Sequence, residues 1–170
     1  MSHRSVVQLI KDTATSLADN IQFGYGRRSD FNLQTTPNSD SAPSGVWMWL
    51  QPLSANPTYT NNSNTENYQK TWNCILLILI PDKSDSTEKE YKVQLDEADE
   101  LADKFINRLN DWAYKTSDTV GPVTLQNFQQ NPIIKNDADI FSGWWVSFQM
   151  VTSDDFDYCE NEISQSELEI

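Results

Sequence analysis

The sequence is poor in the side chains on which most active sites depend. Its 170 residues contain one histidine, His3, and two cysteines, Cys74 and Cys159. His3, near the start of the chain, is therefore the one histidine that could serve in a Ser–His pair, a Cys–His pair or a histidine-ligated metal site. Two cysteines do not form a disulfide framework, so we interpret both as free thiols in a reducing cytoplasm. From these residues we expect no enzymatic activity, no cofactor and no metal site.

Long hydrophobic runs are missing as well. The longest one, CILLILI from Cys74 to Ile80, is too short to cross a bilayer as a helix. The opening stretch, MSHRSVVQLIKDTATSL, is broken by charged residues and lacks the apolar segment of a secretory signal. We therefore expect no membrane partner and no secretion.

Positive charge is scarce. The chain has 12 Lys and Arg residues against 25 Asp and Glu residues, which gives a formal net charge of −13 at pH 7. The last basic residue is Lys135, and residues 136–170 contain nine acids. Because phosphate contacts need Lys and Arg, this balance argues against a protein that binds nucleic acid or anionic membranes.

The patterned part of the sequence predicts an α+β fold. Apolar residues recur at helical spacing over residues 4–20 and again from Thr87 to about Tyr114. Apolar alternation or continuous apolar runs predict strands at Val46–Leu53, at Tyr68–Pro81 and twice more after residue 120. The Ile/Leu block of Tyr68–Pro81 is typical of a central strand that is buried on both faces. We expect a mainly antiparallel sheet of about four or more strands, with the two helices packed on one face.

One domain is the expected number for a chain of this length. We assign residues 1–153 to a single α+β domain and residues 154–170 to an acidic C-terminal tail. Two stretches within the domain, 22–45 and 54–67, are polar and contain Gly, Ser, Asn and Pro. We predict that both are long loops.

The last predicted strand, Trp144–Val151, has two faces of different character. Trp145 lies on the face opposite the core, where it is either covered by a loop or part of an interface. The acids that follow, in DDFDYCENE, lack the glycine turn and the ligand spacing of an EF-hand. We interpret them as a solvated or partner-facing tail. Alternation assigns the core face to four residues: Trp144, Val146, Phe148 and Met150.

The two adjacent arginines, Arg27 and Arg28, are the only paired Lys or Arg residues in the chain. Three interpretations are open: both are surface residues, they form an internal ion pair with Asp30, or they contact an acidic surface of a neighbouring copy. Apolar residues are also spaced among the acids of the tail, as in a segment that docks on another surface. We predict a subunit interface that includes Arg27, Arg28, Trp145, Phe156, Tyr158 and Ile163.

The order of the predicted elements resembles that of a known family. An amphipathic helix, a loop, two strands, a long acidic helix and two strands ending in GWWVSFQMVTSDDF are similar to the tail-terminator and tail-completion proteins of tailed bacteriophages. The resemblance covers about residues 4–157 and rests on element order and composition. It implies a small α+β virion subunit that closes into a homo-oligomeric ring at the head–tail junction and leaves a channel for DNA.

The resemblance has further implications. Such a protein has no catalytic residues, contacts neighbouring neck and tail proteins, and is made in the host bacterial cytoplasm before it joins the virion. A ring of acidic subunits would present a negative channel, through which DNA passes without specific binding. The two long polar stretches leave room for another neck-ring role. An alternative of a different class is an acidic inhibitor or immunity-type protein that mimics nucleic acid and blocks a basic active site.

Overall fold

Two helices and six strands make up the part of the chain that the computed structural model describes, which is residues 3–27, 45–62, 65–81, 88–116, 123–133 and 141–153. The helices are α1 (His3–Thr15) and α2 (Glu88–Thr116). The strands are β1 (Ile21–Tyr25), β2 (Val46–Leu50), β3 (Ser54–Asn62), β4 (Thr65–Pro81), β5 (Val123–Ile133) and β6 (Phe141–Ser153). The predicted fold class, α+β with a mainly antiparallel sheet, is confirmed.

The six strands form one sheet in the order β1-β2-β4-β6-β5, and β3 also pairs with β4. Only the β1–β2 pair is parallel among the described strand pairs. Strand β4 is central, as predicted, because β2 and β3 pair with one of its edges and β6 with the other. Its apolar block is buried from Leu76 to Ile80, whereas Ile75 is exposed.

Strands β2 and β3 follow the same edge of β4, one after the other. Leu50 pairs with Leu76 and Ser54 with Asn73, so one extra residue is accommodated between the two strands. Pro52 lies in this interruption, and it has no backbone N–H to give to the ladder. Together the two strands and β4 form a long β-hairpin.

The prediction of long loops at 22–45 and 54–67 is wrong where the structure describes these residues. Strand β1 ends at Tyr25, β3 covers Ser54–Asn62, and β4 begins at Thr65. From Ser54 to Thr58 every side chain is exposed, so no buried face imposes the apolar alternation by which a strand is recognised. Residues 28–44 lie outside the described part of the chain.

Helix α1 ends at Thr15, earlier than the predicted end near residue 20. The hydroxyl groups of Thr13 and Ser16 donate to the carbonyl oxygens of Leu9 and Thr13, at 2.8 Å in both cases. Such bonds to the backbone compete with continuation of the helix. Ile21 begins β1 and is buried there.

The main core combines side chains of both helices with those of one sheet face. Phe105 of α2 is 0% exposed, and its ring lies 6.0 Å from that of Phe148 on β6. The indole N–H of Trp144 donates to the carbonyl oxygen of Leu95 at 2.9 Å, which ties α2 to β6. The predicted core face of the last strand is confirmed: Val146, Phe148 and Met150 are buried, and Trp144 packs against the same core.

Candidate subunit interface

The structure describes two of the six predicted interface residues. Arg27 is exposed just after β1, and Trp145 is half-buried on β6. The other four lie outside the described residues: Arg28, Phe156, Tyr158 and Ile163. The predicted contact between the arginines and the acidic tail therefore stays a prediction.

The backbone before Arg27 is held by Trp49 of β2. The Trp49 indole N–H donates to the carbonyl oxygen of Gly26 at 3.0 Å, and the Gly26 N–H donates to that of Leu50 at 3.1 Å. The Trp49 ring also lies over Gly24, where an added Cβ would come within 2.2 Å of it. Gly24 is therefore needed for this close approach. These contacts fix the place at which Arg27 leaves the sheet.

Trp145 belongs to a second hydrophobic cluster, on the sheet face opposite the main core. Strand pairing sets Trp49, Leu77 and Trp145 side by side across β2, β4 and β6. Trp49 is fully buried, and Trp145 packs on this cluster while remaining partly exposed. Trp145 is thus in contact with the fold and still offers surface, so both roles considered for it, a covered residue and an interface residue, stay open.

A row of polar side chains crosses the same sheet face, two same-face positions along β6 from Trp145. Strand pairing aligns Ser54, Asn73, Gln149 and Gln126 across β3, β4, β6 and β5. Gln149 donates to the amide oxygen of Asn73 at 2.9 Å, and Asn73 donates to the Ser54 hydroxyl at 3.2 Å. Asn73 and Gln149 each both donate and accept, so the row forms a continuous hydrogen-bonded network.

The β5 end of this network depends on an irregularity of the strand. The register between β5 and β6 shifts between Gln126 and Gln129, and Asn127 in the gap has a φ of 57°. Asn accepts this left-handed conformation more readily than most residues. As a result the side-chain amides of both Gln126 and Asn127 reach the Gln149 amide oxygen, at 3.4 and 2.5 Å.

We call this surface the uncharged face, and it consists of Ser54, Asn73, Ile75, Gln126, Gln129, Ser147 and Gln149. Ile75, which is 37% exposed, pairs with Ser147, and Ser147 pairs with Gln129. The six strands contain two charged residues, Glu66 and Lys70, both on β4. Lys70 lies over the ring of Trp72, a main-core residue, at 5.8 Å. A chain with 25 acids and 12 bases therefore has a broad surface without charge.

Helix α2, unlike the uncharged face, has a segment of concentrated negative charge. Five acids and no base occur between Asp96 and Asp103. Partial desolvation raises the pKa of Asp99, and the charges of Asp103 and Asp96 raise that pKa further. The two smaller contributions arise because like charges disfavour ionisation, and they reflect how closely the acids of this segment are spaced. Glu100 forms an ion pair with Lys104 at 2.7 Å on the exposed side of the helix.

Two general properties of the described residues bear on function. No three of their His, Cys, Asp and Glu side chains come together in a way that could hold a metal ion. Neither described helix has the length and apolar character needed to cross a membrane.

The sequence pattern did not reveal the amide network. The signals were present as LQNFQQNP in β5, SFQ in β6 and WNC in β4, where carboxamides fall at strand positions. Alternation shows which residues of one strand share a face, but only the register between strands brings Asn73, Gln149 and Gln126 together.

Comparison with known proteins gives no match for this chain, either among protein-family models or among the curated proteins.

Proposed function

We propose that the chain is a structural virion protein of a tailed bacteriophage, a tail-terminator or head–tail connector subunit that forms a ring around the DNA channel. The observation that carries the proposal is the separation of charge on the described surface. Acids are concentrated on α2 between Asp96 and Asp103, whereas the uncharged face contains none. A ring subunit needs one surface that repels DNA and another on which copies meet without repulsion.

The proposal gives each surface a role. An acidic channel wall repels phosphates, so DNA moves through it without specific binding. The remaining surfaces contact neighbouring neck and tail proteins, and the protein is made in the bacterial cytoplasm before it joins the virion. The role requires neither catalysis nor a cofactor, and it involves no membrane.

The alternative is an acidic inhibitor or immunity-type protein that mimics nucleic acid. It would use the same acids of α2 to bind one basic partner. It has no need of a broad uncharged surface, because a one-to-one complex of opposite charges contains no repulsion between copies. The uncharged face therefore favours the ring.

A three-dimensional map of the virion that carries this chain tests the proposal. We expect ring-shaped density around the DNA channel at the head–tail junction, into which copies of the α+β subunit fit. Peptides of the chain should also appear when purified virions are analysed by mass spectrometry. Virions from which the chain is absent, together with its isolation as a one-to-one complex with a basic protein, would support the inhibitor instead.

A further inference from the structure

The net charge of the chain restricts how two copies can meet. Each copy has a formal charge of −13 at pH 7, so an interface that brings acidic surfaces together is opposed by repulsion. Contacts between copies are favoured where charge is absent or balanced. Among the described residues, the uncharged face satisfies this condition.

The uncharged face also has the anatomy of a protein contact. Exposed Ile75 provides apolar area with the carboxamides of Asn73 and Gln149 beside it, and half-buried Trp145 borders the face. The amide side chains already hold one another in place: Gln149 bonds to Asn73 and accepts from Gln126. Since these side chains are ordered before association, a partner that docks on them loses less conformational entropy.

A closed ring built from head-to-tail contacts requires a second, different surface on each subunit. The core face of the sheet contacts α2, through Phe148 with Phe105 and through Trp144 with Leu95, so the outer side of α2 and the uncharged face point in opposite directions. On that outer side Tyr114 is 86% exposed.

Two exposed carboxamides precede Tyr114 along the helix. Asn107 and Asn110 lie seven and four residues before it, so the three side chains form one stripe. The charges of Arg108 and Asp111 in the same stretch balance each other. Lys115 adds one positive charge, so this end of α2 has a formal net charge of +1, in contrast to the acidic segment from Asp96 to Asp103.

We propose that the uncharged face of one copy contacts the Asn107–Asn110–Tyr114 stripe of the next copy, and that repetition of this head-to-tail contact closes the ring. The inference rests on the proposed function, because it names the contact by which that ring forms.

Paired charge substitutions test the contact. One variant carries Ile75→Glu and Gln129→Glu on the uncharged face, and another carries Asn110→Glu and Tyr114→Glu on the stripe. The control carries Thr15→Glu and Asn20→Asp, which add the same charge at exposed sites near the end of α1. Sedimentation velocity at one protein concentration should show an oligomer for the unsubstituted chain and for the control, and a monomer for each interface variant. The thermal midpoint of each variant shows whether it is folded. If the variant with Ile75→Glu and Gln129→Glu unfolds, Gln129→Glu alone replaces it.

Mixing the two interface variants gives the decisive result. Each contributes one intact surface, so the mixture should form a one-to-one heterodimer that cannot grow into a ring. Monomers in the mixture would exclude the head-to-tail contact. If the interface variants still form the oligomer, the proposed contact is wrong and the proposed ring is unaffected. If those variants then fail to enter virions, the substituted surfaces contact a neighbouring protein instead. An unsubstituted chain that sediments as a monomer would overturn both the inference and the ring.

Discussion

Phe105 is one of the residues that join α2 to the sheet. It is fully buried and packs on Phe148. We predict that Phe105→Ala lowers the free energy of unfolding by about 3–5 kcal/mol, since it removes a large side chain and leaves a cavity. Urea denaturation measures this change. Tyr114→Ala is the matched control and should have little effect on stability, because Tyr114 is 86% exposed. Equal stability of Phe105→Ala and the unsubstituted chain would show that α2 is not docked on the sheet through this residue.

Cys74 illustrates how burial suppresses reactivity. It lies on the core face of β4 and is 1% exposed, and burial raises the pKa of its thiol to about 12. The reactive species is the thiolate, which forms only as the pH approaches the pKa. In a Cys159→Ser variant, we predict that Cys74 does not react with a thiol reagent at pH 8 until denaturant is added. A fast reaction of the native protein would contradict the burial of this side chain.

At the residue scale, the sequence predicts apolar environments better than polar ones. The core face of β6 follows from alternation alone, because Val146, Phe148 and Met150 must all avoid water. The bonds between Gln149 and Asn73 do not follow from it, since carboxamides are stable in solvent and their pairing depends on strand register.

At the scale of elements, the long helix and the central strand could be predicted, whereas β3 could not. Helix α2 and β4 contain apolar patterns that burial enforces. Strand β3 has a polar sequence, and its exposed residues include Asn56 and Thr58. Strand β3 pairs with β4 through backbone hydrogen bonds, so its side chains need not show the alternating pattern from which a strand is predicted.

The acidic tail is the element for which we make a direct prediction. We expect residues 154–170 to dock on an adjacent subunit or a neighbouring neck protein, with Phe156, Tyr158 and Ile163 as anchors and with Arg27 and Arg28 of the next copy as the preferred contact. A chain truncated after Ser153 should keep its thermal midpoint and assemble less efficiently into rings, as measured by sedimentation.

A full-length variant in which Phe156, Tyr158 and Ile163 are replaced by Ser is the matched comparison, because it keeps every acid of the tail. If the anchors provide the affinity, this variant should assemble as poorly as the truncated chain. Full assembly of the truncated chain would mean that the tail makes no contribution to the ring.

For the whole molecule, composition gave the sign and the size of the charge, and the structure shows where the described charges lie. The net charge of −13 already argued against a nucleic-acid binder. The strands are nearly free of charge, and α2 is acidic between Asp96 and Asp103. Strand pairing brings the uncharged residues of β3, β4, β5 and β6 together on one face. This separation is the basis of the proposed ring.

The most direct test of the central claim is the mass of the purified chain by native mass spectrometry, combined with negative-stain images of the same sample. We predict one closed homo-oligomer of fixed copy number that appears as a ring with a central opening. A monomer at all concentrations, or a one-to-one complex with a basic protein, would contradict the proposed function.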